Sequence, residues 1–427
     1  MLSIIEKIRI PQEKHLQEHM ESALNAPLIS ELFRYKDRYR DDDHDLRNRE
    51  AKAAMFPVMK KGGGTLYRLC REVQRDLGIP HLRVDYFLSN DTDANATARF
   101  SYFSDTAHRI VLNSGLLHGI SEKEIRFVIG HELAHLVYGH GLFWRIRNLV
   151  YPDFDGMPRF LRGTYDLWRK LGEVSCDRVA MVACGDVEEG MKAQFRLYAG
   201  VDMSQFQIGT LNFANTIRDL VDEIPGSTGA GYNTHPISPL RIKALIDFSC
   251  SSTWKAIAAG NPLPANDRKL AAWTEEISNR MATAARTGVE HASFDFLIAA
   301  GYKIIIADGK ASADEYICFL NLLSGYTYWP KDKIDKILKR GKGVSDLLNR
   351  SSRFLAKKHP DVARELMWHL IELMLSDKRF NKKELEMLFW LAEKRLKIPH
   401  AEVVDAMLKG IETRYAPMMA FTAEIGL

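Results

Sequence analysis

The run Ile125-Arg126-Phe127-Val128-Ile129-Gly130-His131-Glu132-Leu133-Ala134-His135-Leu136-Val137-Tyr138 sets an HExxH pattern among apolar residues at helical spacing. Residues four apart on an α-helix share a face, with side chains about 6 Å apart. His131 and His135 can therefore grip one metal ion from successive turns. Glu132 stands beside that metal without ligating it, where a carboxylate can take the proton of an activated water. Upstream, Ser121 and Glu124 have the spacing of a capping box and fix where the helix begins.

A second cluster, Glu173-Val174-Ser175-Cys176-Asp177-Arg178-Val179-Ala180, lies downstream in another stretch of helical character. Its two carboxylates, four apart, share a face. Glu173 is assigned as third ligand of a His₂Glu zinc site with an open fourth position, and Asp177 as acceptor of a ligating histidine's free ring N–H. Two other metal chemistries are excluded on spacing. HExxHxxGxxH would need glycine and histidine where Tyr138 and Gly141 stand. Cys70, Cys176, Cys184, Cys250 and Cys318 contain no CxxC pair and read as reduced, mostly buried thiols.

Gly130 to Gly141, Glu173 to Ala180, and Thr234-His235-Pro236 followed by Arg241-Ile242 resemble the successive motifs of the HtpX and CAAX prenyl protease family of gluzincin metallopeptidases. Leu66 to Leu88, Asn95-Ala96 and Arg109 to Leu117 resemble the helix, strand and turn that precede the zinc helix there. The resemblance covers roughly Thr65 to Asp247. It implies one Zn²⁺ per chain on His131, His135 and Glu173, with Glu132 as general base and Asp177 in support. It also places His235 near the metal, where it steadies the oxyanion or caps the open position. Arg241, six residues on, is the next candidate to neutralise developing charge. His140 reads instead as a helix-end histidine at the C-terminal dipole, with Gly139 and Gly141 marking the stop.

Arg109 to Asn113 reads as a short exposed edge strand able to pair with an extended protein or peptide substrate. The segment 142–168 interleaves aromatic residues and arginines, from Phe143, Trp144 and Arg145 to Tyr165 and Trp168. With Pro152, Gly156, Pro158 and Gly163 it suits a lid over the cleft, and its composition also keeps peripheral membrane contact open.

The chain has 427 residues and a formal net charge of +4. That charge is too small and dispersed for nucleic acid, and no nucleic-acid-binding motif appears. No uninterrupted apolar stretch of membrane-spanning length occurs, and Met1 to Arg9 lacks the character of a signal peptide or anchor. The expectation is a cytoplasmic protein, with the inner membrane face as a possible peripheral site. Arg40 to Asp45, with His44, reads as a solvated acidic loop.

Past Pro262 and Pro264, a Lys-, Ala- and Glu-rich helix leads to an internal repeat: Phe296 to Leu320 matches Glu365 to Phe389. Each half is an apolar helix, a small acidic turn and a restart with glutamate. The turns carry Asp308, Asp314 and Glu315 in one half and Asp377 and Glu384 in the other. This region, about His291 to Lys409, resembles the all-helical TerB tellurite-resistance domain. Its carboxylates read as helix caps rather than a calcium site, since hard cations need more oxygen ligands than either turn supplies.

The expected fold is α+β and predominantly helical: a gluzincin core with a small edge-stranded sheet, plus an all-α TerB-like domain. The expected divisions are a helical arm (1–61), the peptidase domain (62–250), a linker (251–289) and the TerB-like domain (290–427). The expected function is a zinc-dependent endopeptidase, with the TerB-like part binding a protein partner. The rival is a silent or His235-capped zinc-binding module.

Overall fold

The computed structural model describes residues 4–38, 53–101, 106–203, 210–223, 238–282, 287–339, 343–379 and 381–414. Arg40 to Asp45 and Thr234-His235-Pro236 lie outside these residues. Among the described residues the fold is predominantly helical with one four-stranded sheet. The chain divides into two compact units, one drawn from Met1–Gly156 and Tyr165–Met281, the other from Met157–Thr164 and Ala282–Leu427.

The first unit opens with α1 (Ile4–Ile8), α2 (Pro11–Ala23) and α3 (Ala26–Arg38). Pro11 starts α2 without loss, because the first helical N–H has no partner within the helix. The buried face of α2 is Glu13, Leu16, Gln17 and Met20, at helical spacing. Ile5 and Ile8 of α1 belong to the same apolar core as Phe127, Ile129 and Leu133, which flank the HExxH histidines.

The sheet comprises β1 (Phe56–Pro57), β2 (Val84–Ser89), β3 (Ala96–Arg99) and β4 (His108–Asn113), in the order β1-β2-β4-β3. Between β1 and β2 lies α4 (Gly64–Asp76), which buries Leu69, Cys70 and Val73. Strand β4 pairs parallel with β2 and antiparallel with β3. The expected edge strand at 109–113 is therefore interior, and among the described residues β3 is the edge beside it. The reason is pairing: β4 is hydrogen-bonded to a strand on each side, which the run 109–113 by itself cannot show. After β4 the chain turns at Gly115, where a Cβ would fall 1.9 Å from the Thr92 carbonyl oxygen. Only glycine permits that approach.

The turn delivers the chain to α5 (Glu122–Val137), capped as expected: Ser121 Oγ accepts from the Glu124 N–H, and Glu124 accepts from the Ser121 N–H. Arg196 secures this end from outside, reaching Glu124 at 3.2 Å and the carbonyls of His118 and Gly119. Helices α6 (His140–Val150), α7 (Arg159–Cys184), α8 (Val187–Ala199), α9 (Thr210–Glu223), α10 (Ser238–Ser249), α11 (Ser252–Ala258) and α12 (Arg268–Met281) follow. The segment 142–168 is thus mostly helix, not the loop-rich lid expected. Phe143, Tyr165 and Trp168 are buried, whereas Trp144 and Leu149 are exposed. No helix among the described residues is long and apolar enough to cross a membrane.

The second unit holds α13 (Gly288–Ile305), α14 (Ala313–Leu323), α15 (Pro330–Lys339), α16 (Gly343–Lys358), α17 (Pro360–Met374), α18 (Lys382–Trp390) and α19 (His400–Arg414), around its own core. Both halves of the repeat are helix-turn-helix. Asp308 accepts from the Lys310 N–H and Asp377 from the Arg379 N–H, the same turn twice. Ser312 and Glu315 form a capping box, while Asn381 caps α18 and donates across to Asp308 at 3.1 Å. Glu315 and Glu384 are both buried.

Candidate metal centre

Helix α5 brings His131 and His135 onto one face, and α7 supplies Glu173 and Asp177 opposite them. The two helices can approach closely because Gly130 meets Ala180 and Ala183: a Cβ on Gly130 would lie 2.5 Å from that of Ala183. His131 Nε2 stands 3.1 Å from His135 Nε2, and Glu173 places Oε2 3.5 Å from the first and Oε1 3.6 Å from the second. Ligand atoms about 2.0–2.2 Å from a tetrahedral zinc are about 3.3–3.6 Å from one another. The two imidazole nitrogens, and a carboxylate with one oxygen toward each, are spaced on about that scale, and together they form a set of residues that could hold a metal ion.

Around this triangle the polar groups are packed for charge. Asp177 is buried. Its Oδ1 lies 3.0 Å from His131 Nδ1 and accepts from Arg241 Nη2 at 2.7 Å. Its Oδ2 accepts from Arg241 Nε and from Gln194 Nε2, each at 2.8 Å. A third guanidinium nitrogen, Nη1, reaches Glu173 at 2.9 Å. Burial works against charge on His131, but its contacts with Asp177 at 3.0 Å and Glu173 at 3.5 Å, and their charges, outweigh it and raise the imidazole to about 10. Burial depresses His135 well below the ordinary value; Glu173 opposes this, while His131, His140 and Arg241 add to it. Burial alone would raise Asp177, yet Arg241 and His131 hold it below the usual carboxylate range.

Of the residues expected from the sequence, the structure brings together His131, His135, Glu173, Asp177 and Arg241. Glu132 is buried on the same helix turn as His131, while His235 lies outside the described residues. Arg241 has its guanidinium on two carboxylates. His140 differs from its expected position. Helix α5 stops at Val137 and Gly139 takes φ of 71°, marking the stop as expected, but His140 is then the first residue of α6 rather than the end of α5. There its Nδ1 lies 2.9 Å from His135 Nδ1. Glu13 and Gln194 were not expected. The signal for Glu13 was an acid on the apolar face of a helix, four residues after Arg9.

Residues 62–152 match the model of Peptidase family M48. Over 163 residues the chain is 24% identical to the plastoglobule-localized metallopeptidase 48, chloroplastic, of Arabidopsis thaliana, an overlap covering 35% of this chain and 47% of that relative. The chain thus spans about half the length of the curated relative it matches. No solved structure matches the chain significantly. The matched stretch contains β2 to α6 and both HExxH histidines; Glu173, Asp177 and Arg241 lie beyond the family model.

Proposed function

We propose that the chain is a zinc-dependent endopeptidase, with His131, His135 and Glu173 holding one zinc ion. The observation that carries this reading is a pair of imidazole nitrogens 3.1 Å apart on one helix facing a carboxylate from another, whose two oxygens lie 3.5 and 3.6 Å from them, with a buried glutamate next in sequence to the first histidine. A zinc ion held by His131, His135 and Glu173 would supply Lewis acidity toward a peptide carbonyl and a water of lowered pKa. Glu132 takes the proton of the attacking water and returns it to the leaving amine. Asp177 orients His131 through Nδ1 and is itself held by Arg241 and Gln194. His235 is the remaining candidate to steady the oxyanion or cap the metal, and Arg241 acts on the site through the carboxylates it binds.

The substrate is an extended segment of a protein, hydrogen-bonded along the edge of β3. That strand runs antiparallel to β4 and leads towards Phe100, against which Gly141 of α6 packs. Main-chain pairing of this kind is tolerant of sequence. The second unit is read as a TerB-like module that binds a protein partner. Trp144 and Leu149, exposed on α6, are where contact with a membrane surface would occur.

The reading is tested by incubating the zinc-loaded chain with casein, with and without chelator. Cleavage that chelation stops and zinc restores supports it. A zinc-loaded chain that cuts nothing, and still cuts nothing as His235→Ala, leaves a metal-binding module.

A further inference from the structure

Glu13 is fully buried in the first unit, far in sequence from the metal centre. A carboxylate without solvent needs donors, and this one is ringed by them. Arg9 donates through Nε at 2.6 Å and Nη2 at 2.8 Å, Trp168 through Nε1 at 3.0 Å, and Ser175 through Oγ at 3.4 Å. The remaining partner is His140 Nε2, 3.2 Å from Glu13 Oε1. The opposite nitrogen of that ring is the one that meets His135 Nδ1 at 2.9 Å.

One arrangement of protons satisfies this chain of contacts. His135 Nε2 faces His131 Nε2 and Glu173, so as a metal-directed nitrogen it carries a lone pair and the proton sits on Nδ1. His140 Nδ1 must then accept that proton, which puts its own on Nε2, where Glu13 accepts it. The opposite tautomer of His140 would set two N–H groups against each other and leave Glu13 facing a lone pair. The ring is also seated by shape: a Cβ on Gly172, the residue before Glu173, would lie 3.0 Å from His140 Cε1. Asp177 touches His131 directly, and Glu13 reaches His135 at one remove.

We propose that Glu13, acting through His140, is a positioning residue for His135, which makes helix α2 a structural part of the metal centre. This rests on reading His131, His135 and Glu173 as a zinc site. Groups that fix the far nitrogen of a ligating histidine are worth about 10–100-fold in metal affinity.

The test uses the full chain as His140→Phe, which keeps an aromatic ring but removes the acceptor, and Glu13→Gln, which keeps the shape and an acceptor but removes the charge. Zinc affinity is measured by competition with a chromophoric chelator, ligand geometry by the absorption spectrum of the cobalt-substituted chain, and folding by thermal denaturation without metal. The expected result is about 10–100-fold weaker zinc binding and an altered cobalt spectrum for His140→Phe, with Glu13→Gln intermediate. Should His140→Phe fail to fold, Glu13→Gln decides alone. Wild-type affinity and spectrum in the folded variants overturn the relay while leaving the zinc site standing. A wild-type chain that binds no zinc removes the site and the relay together. Two metal ions per chain, one lost in His140→Phe, would make His140 a ligand beside Cys176, whose Sγ is 3.9 Å from Nδ1, and would also overturn the proposal.

Discussion

Replacing Arg241 by methionine separates a guanidinium that clamps carboxylates from one that acts on the reacting charge. Arg241 is buried, with two nitrogens on Asp177 at 2.7 and 2.8 Å and a third on Glu173 at 2.9 Å. Methionine retains much of the stem's volume but leaves Asp177, among the described residues, with Gln194 and His131 as close donors. Removing one partner of a buried ion pair costs about 3–5 kcal/mol, since the other charge stays desolvated. At about 2–4 °C per kcal/mol for a domain of this size, the first unit should melt roughly 6–20 °C lower. The assay is urea and thermal denaturation of Arg241→Met with and without zinc. The deficit should be largest without metal, because a cation at Glu173 restores part of the lost charge balance. Arg241→Met combined with Asp177→Leu should recover stability relative to Arg241→Met alone. A variant within about 0.5 kcal/mol of wild type, yet with peptide cleavage lost, would refute the clamp and point to direct charge stabilisation.

Glu384 is raised from 4.5 to about 7, first by burial and then by Glu315, Asp308 and Asp377. A carboxyl raised on folding contributes stability below about pH 4.5 that is lost as pH rises through 7. Glu384→Gln should therefore match wild type near pH 4.5 and exceed it at pH 8, as scanning calorimetry of the second unit's transition would show; equal stabilities at pH 8 would refute this. Gly130→Val should cost about 1–3 kcal/mol by overpacking and weaken zinc binding by parting α5 from α7. Ala183→Gly in the same chain should restore part of both, read by zinc titration and denaturation.

The legible part of the site is the part written at helical spacing. His131 and His135, like Glu173 and Asp177, are four residues apart, just over one turn, so their shared faces follow from about 3.6 residues per turn. The capping box of α5 and the paired turns of the second unit are equally local. What escaped depends on distant pairing. The run Arg109 to Asn113 looks the same whether a strand has one neighbour or two, and only the partners β2 and β3 decide it. His140 was misplaced because Gly139 allows one helix to end and another to begin within two residues, a geometry the periodicity hides. Gln194 and Glu13 carry no motif. Their roles come from packing α8 and α2 against α7, although an arginine-paired acid on the buried face of α2 was a visible sign of a buried partner.

The central claim is best tested by wild type and Glu132→Gln, each brought to one zinc per chain by metal analysis and incubated with casein under identical conditions. Glutamine keeps the shape of Glu132 but cannot carry the water's proton. The account predicts equal zinc content, cleavage by wild type, and loss of at least about 10²-fold in the variant. Equal cleavage by the two at equal zinc content would contradict it.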